Sequence, residues 1–228
     1  MCIRDSNNNS YQGRLKESTQ LGAELIGDDS IEADAEILAM AVECLKKAGL
    51  EEFQISIGHA GFLKGLMEEA GLNEEQEEEL RELISNKNFF GVEEFVETLN
   101  LEENLKNLFG MLGNLYTGSD ELSAARECAA SYPRILKAIG DLEELHKILE
   151  VYEVSRYVSF ELGTISNYQY YTGIIFAGYT FGSGEAIVKG GRYDRLLNCF
   201  GKDSASIGFA FVIDQLMAAL QRQKIDVP

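Results

Sequence analysis

SNYQYYTGIIFAGYTFGSGEAIVKGGRYDRLL, residues 166–197, is the stretch around which the rest of the chain is arranged. Tyr170 and Tyr171 open it. Ile174, Ile175 and Phe176 follow with the β-branched and aromatic composition of a buried strand. Gly182, Ser183 and Gly184 supply the residues that a hairpin turn tolerates. Ala186, Ile187 and Val188 return as the partner strand. Gly190 and Gly191 carry no Cβ, so backbone can come close to a ligand there. Arg192, Tyr193 and Asp194 then stand at the head of a short helix ending near Gly201. Aromatics, glycines and a few polar groups in one hairpin are the material of a concave binding site, although many sheets carry the same residues with no ligand at all.

Downstream, residues 206–212 (SIGFAFV) read as a last apolar strand, with Gly208 where something must come close. Ile213, Leu216, Met217 and Leu220 follow as one face of a closing helix. Upstream, Val158, Phe160 and Leu162 alternate as a strand. At the beginning, residues 19–26 (TQLGAELI) predict a strand, and Asp29 with Glu32 predicts a capped helix carrying Ile37, Met40, Ala41, Cys44 and Leu45 until Gly49. Phe53, Ile55 and Ile57 alternate with Gln54 and Ser56 as a half-buried strand. Between these β-containing blocks, residues 60–152 have helical period and almost no strand signal. Leu63, Leu66, Met67 and Ala70 form one face; Asn73 caps an acidic helix; Phe90, Phe95, Val96 and Leu99 mark another. Leu105, Leu108, Phe109 and Leu112 mark the next, and Leu122, Ala125 and Ala129 continue the pattern. Pro133 suits a helix first turn, and Asp141 with Glu144 caps a final helix. The fold class predicted is α+β, with residues 60–152 a helical segment inserted between residues 7–59 and residues 153–228.

Composition narrows the function. The chain has 228 residues and a formal net charge of -18, a poor balance for gripping polyanions, so RNA binding is disfavoured. The four cysteines, Cys2, Cys44, Cys128 and Cys199, form no C-x-x-C pair, and His59 and His146 are the only histidines. Zinc and a disulfide framework are therefore disfavoured, no cofactor is expected, and reduced, mostly buried thiols in a cytoplasmic setting are the expectation. No apolar run approaches the ~20 residues of a membrane span, and no signal peptide stands at the start. The first six residues, MCIRDS, read as translated sequencing adapter, so they are left out of the fold reasoning.

Three stretches in one order are specific. They are Gln20-Leu-Gly-Ala-Glu24, Tyr170-Tyr171 with the hairpin and GGRYD, and Gly208-Phe-Ala before a helix. Together they resemble the class II histidyl-tRNA synthetase catalytic fold over nearly all of residues 13–220. The match is closest to its paralogue family, the regulatory subunits of ATP phosphoribosyltransferase. The resemblance implies an antiparallel class II sheet with helices and an inserted helical segment. It implies that Gln20 and Glu24 contact a bound histidine and that Tyr171 and Tyr193 line its pocket; the hairpin reading adds Tyr170, Gly190, Gly191 and Arg192 as expected ligand-binding residues. The chemistry suits an amino acid: Glu24 can accept from the ammonium, and phenols can grip imidazole nitrogens. Gln20 and Glu24 share parity, so both point to one sheet face.

Two departures carry weight. Ser166 stands where the resembling pattern R-G-L-D-Y-Y has Arg, and Gln215 stands where G-F-A-x-G-x-E-R has its ATP-holding Arg. Each loss removes fixed positive charge from adenylate formation, at about 2–4 kcal/mol per preorganised donor. Arg14 and Lys16 match upstream basic positions and keep a residual phosphate contact open. The implied role is a non-catalytic subunit, with the short-form catalytic ATP phosphoribosyltransferase as partner and L-histidine as effector, at the first step of histidine biosynthesis. Self-association would run through a class II segment preceding Asn7. The alternatives are a fragment of a histidyl-tRNA synthetase, which would charge tRNA, and an amino-acid sensor acting on another partner.

Overall fold

The computed structural model describes residues 17–165 and 170–225. Seven strands form one sheet in the order β1-β7-β6-β5-β2-β4-β3. The strands are β1 (Gln20–Ile26), β2 (Phe53–His59), β3 (Leu115–Tyr116), β4 (Val158–Glu161), β5 (Ile174–Thr180), β6 (Val188–Arg192) and β7 (Ser206–Val212). Every pairing is antiparallel except β2 with β4, which is parallel. A parallel pair needs a crossover, and the helical segment between β2 and β4 supplies it. That segment also holds β3, a two-residue strand that residues 60–152 did not advertise.

Strand side chains alternate between the two faces. One face is large and apolar: the row Ala23, Phe209, Gly190, Phe176, Ile57 and Phe160 runs across β1, β7, β6, β5, β2 and β4. Phe176, Ile57 and Phe160 in it are fully buried. Gly190 lies there because a Cβ would sit 2.4 Å from the Phe176 ring. Against this face lie α1 (Ile31–Lys47) and α7 (Pro133–Val151), which also pack on one another. The other face is built of small residues and carries the site.

Several elements differ from expectation for identifiable reasons. The cap of α1 is Ser30, whose hydroxyl accepts from Ala33 N, not Asp29; Asp28 meanwhile accepts from Ser30 N. The buried face of α1 is Ile37, Leu38, Ala41, Val42 and Leu45, whereas Met40 and Cys44 are exposed. Asp141 caps nothing, because α7 runs unbroken past it from Pro133 at its first position. Asp141 instead sits 3.5 Å from His59 Nε2 and 2.6 Å from Lys137 Nζ. Phe90 is outside, and α4 (Phe89–Glu97) buries Val92 and Val96. Among the described thiols, Cys44 and Cys199 are exposed and Cys128 is half-buried, against the expectation of mostly buried thiols. The sites anticipated at Asn73 and at the strand of residues 206–212 stand as read: Asn73 and Gln76 form a reciprocal capping box on α3 (Glu74–Ser85), and β7 has those bounds.

Candidate functional site

The second face of the sheet is floored by small residues. One row runs Glu24, Gly208, Gly191, Ile175 and Gly58, and the next runs Gly22, Ala210, Lys189, Ala177 and Ser56. Short side chains on successive strands let other groups close onto the sheet: Tyr171 lies over Gly191 and Thr164 over Gly58. Glu24 rises from its β1 end, and Gly208 is required beside it: a Cβ there would lie 1.8 Å from Glu24 Oε2. The Tyr193 hydroxyl, arriving from just beyond β6, donates to that same oxygen. Burial raises the Tyr193 phenol well above the usual range, and the Glu24 hydrogen bond and charge add to the rise. The phenol therefore stays a donor at neutral pH, holding one carboxylate oxygen and leaving the other lone pairs of Glu24 to a ligand.

The two halves of the organising stretch explain each other. The Tyr170 ring meets Tyr193 edge-on at 5.9 Å and lies 4.7 Å from the Tyr171 ring. Tyr171 covers Gly191, where a Cβ would be 2.6 Å from the ring. The Thr172 hydroxyl donates to Asp194 at 2.7 Å, and Asp194 N donates back at 3.0 Å. Gly173 clears the stem of Arg192, whose Cδ would be 2.9 Å from a Cβ. So Y-Y-T-G and G-R-Y-D are two strand ends keyed together residue by residue.

Arg192 was expected to face the ligand from the head of a helix. It is the last residue of β6, and its parity points it to the apolar face, where it is 5 % exposed. Its Nε and Nη2 lie 2.8 and 2.7 Å from Asp34 Oδ1. Nη2 also reaches Ser30 O at 3.0 Å, and Nη1 reaches Asp28 O and Asp194 Oδ1 at 3.0 and 3.1 Å. Five N–H groups thus meet five acceptor contacts, and none is left for a ligand. Burial pushes the Asp34 carboxyl up to about 6, against the pull of the Arg192 hydrogen bonds and charge. Gly190 likewise belongs to the apolar face, and Gly191 is filled by Tyr171 rather than by open space.

The structure brings Glu24, Tyr170, Tyr171, Gly191 and Tyr193 together. Gln20 shares the face of Glu24 but lies four residues along β1, about 13 Å away at ordinary strand rise. Arg14, Lys16 and Ser166 lie outside the described residues. Gln215 is half-buried on α8 (Ile213–Gln223) beside Asp214, which accepts from Thr19 N at 2.8 Å. The reading of the sequence missed Asp34, Thr172 and Asp194, since nothing in local spacing links a first-turn acid of α1 to an arginine in β6. A separate open cavity of about 780 Å³, lined by Lys46, Phe53, Arg156 and Tyr157 among others, involves none of these residues.

A family model described as histidyl-tRNA synthetase matches residues 3–216. The ATP phosphoribosyltransferase regulatory subunit of Acetivibrio thermocellus is 45% identical over 217 residues, covering 94% of this chain and 51% of that protein. A crystal structure described as an ATP phosphoribosyltransferase regulatory subunit/histidyl-tRNA synthetase from Bacillus halodurans superposes with a TM-score of 0.81 at 37% identity, covering 92% of this chain and 55% of that one. A histidine–tRNA ligase subunit from Alicyclobacillus acidocaldarius gives 0.77 at 27% identity, covering 91% and 66%. The chain spans about half the length of the curated relatives it matches.

Proposed function

The chain belongs to the histidyl-tRNA synthetase family, and from that premise we propose that it is a non-catalytic regulatory subunit of ATP phosphoribosyltransferase, working with the short-form catalytic subunit in the cytoplasm. The observation that carries the reading is a contrast within one fold. Glu24 is held by Tyr193 beside Gly208, an arrangement that supports reading this as an amino-acid contact. The nucleotide end has Ser166 and Gln215 in place of the two arginines of the resembling motifs. A site so equipped binds an amino acid without the cations that stabilise phosphate charge as an adenylate forms. Such a chain senses histidine; the partner performs the chemistry.

In this reading L-histidine places its ammonium on Glu24 and its ring among Tyr170, Tyr171 and Tyr193, with Gln20 at the margin. Arg14 and Lys16 retain at most a phosphate contact. Histidine changes the partner's activity by preferring one state of the assembly, with coupling of about 1–3 kcal/mol. Subunits self-associate through a class II segment that would precede Asn7. The names of the relatives at 45% and 39% identity support the assignment. The test is co-purification with a short catalytic subunit, assayed with and without histidine. Activation by this chain and inhibition by histidine are expected; a partner equally active alone overturns the reading. The second reading, a synthetase that activates histidine, is favoured by the family model itself. Histidine-dependent ATP–pyrophosphate exchange by the full-length protein would establish it instead.

A further inference from the structure

Gly208 in β7 has a neighbour on each side: Glu24 of β1 and Gly191 of β6. On the small-residue face, Tyr193 reaches across β7 to Glu24. On the opposite face, Arg192 reaches across the same strand end to the carbonyls of Asp28 and Ser30, which follow β1, and to Asp34 in α1. Consecutive residues therefore make two clips over β7, one on each face of the sheet. The second clip is buried and fully hydrogen-bonded, so its geometry is stiff. The first depends on one phenol. Asp194 adds to the rigidity, because it takes Arg192 Nη1, Thr172 Oγ1 and Ser206 N, fixing the backbone just past Tyr193.

We propose that Arg192 is a positioning residue for the ligand site: its clip from β6 to the β1–α1 connection keeps the Tyr193 hydroxyl on Glu24 and so sets the direction in which the Glu24 carboxylate faces a cationic ligand. The affinity part rests on the reading of Glu24 as the ammonium contact. The positioning part does not. A guanidinium fork is needed because four separate acceptor groups, on Asp34, Ser30, Asp28 and Asp194, surround it; an ammonium at the same place satisfies Asp34 but cannot also span both carbonyls.

The experiment separates the two parts. Burial is the largest cause of the raised Tyr193 phenol, and Glu24 from β1 and Tyr170 from the segment before β5 add to it, so release from Glu24 without a change in burial is expected to lower the pH at which the phenol ionises. Ultraviolet titration is read as the difference between each protein and its Tyr193→Phe form. In Arg192→Lys the Tyr193 signal is expected to ionise at lower pH than in the parent. Calorimetry should give L-histidine binding weaker by about tenfold, which is ~1.4 kcal/mol. Leu142→Ala, a cavity at a fully buried position of α7, lowers the melting temperature without moving the Tyr193 titration. Should Arg192→Lys fail to fold, Asp34→Asn keeps the side-chain volume and carries the same expectation in smaller degree. A folded variant with an unchanged Tyr193 titration overturns the proposal. If the parent itself does not bind histidine, the ligand reading falls while the titration still decides the positioning role.

Discussion

In the proposed reading, the ligand chemistry concentrates on Glu24. A carboxylate that keeps one oxygen on a phenol and offers the other to an ammonium contributes a charge-assisted bond of about 1.5–3 kcal/mol. Glu24→Ala is therefore expected to weaken histidine inhibition by roughly ten- to a hundredfold, with activation of the catalytic partner intact, as read from inhibition curves of the reconstituted complex. Gly208→Ala attacks the same carboxylate from beneath. Its methyl would occupy the place of Glu24 Oε2 and crowd Ala23 O at 2.7 Å. Overpacking of this kind costs about 1–3 kcal/mol, so lower melting temperature and lost histidine binding are expected together. The sequence named the tyrosines and Glu24 through their motifs, and the structure brings these residues together. Arg192 was misplaced because motif membership does not say which face of a strand a residue takes; its parity with the buried Val188 and Gly190 did, and that signal was in the sequence.

At the level of elements, β1 and β7 were read almost to the residue, since alternation and a flanking turn define short strands well. The two helices misjudged, α1 and α7, failed at their caps. Asp29 and Asp141 each precede a glutamate by three residues, which is the capping pattern, yet Ser30 and Pro133 won the two starts. The α3 cap can be tested directly: Asn73→Ala should lower unfolding free energy by about 1 kcal/mol in urea melts. The proton held by the buried Asp34 carboxyl has a pH signature. Asp34 titrates near 6 when folded and near 4 in an unfolded chain, so the folded protein holds a proton that the unfolded one has released. Its contribution is whole below about pH 4 and is lost as pH rises through about 6. Urea unfolding of Asp34→Asn between those limits should lack this decline, while the parent shows it.

Seen whole, the molecule is one mixed sheet with its helices α1 and α7 on the apolar face and its site on the other. The α+β class was legible from the alternation of β-rich ends and a helical middle. The parallel β2–β4 pair was not, because it depends on where the chain goes after some hundred residues of helix, which no local pattern records. At this scale the prediction concerns chemistry: histidine-dependent ATP–pyrophosphate exchange by the full-length protein should remain at background, and restoring both arginines, Ser166→Arg with Gln215→Arg, should bring no loss of histidine affinity. The sheet order also governs how the protein comes into being. Among the described strands β1 touches only β7, the last one made. During synthesis on the ribosome β1, with Leu21 and Ile26 exposed, waits until β7 has emerged before it finds its mate. A nascent chain stalled ahead of Ser206 should therefore recruit holding chaperones, because β1 has no partner strand among the described ones until β7 is made.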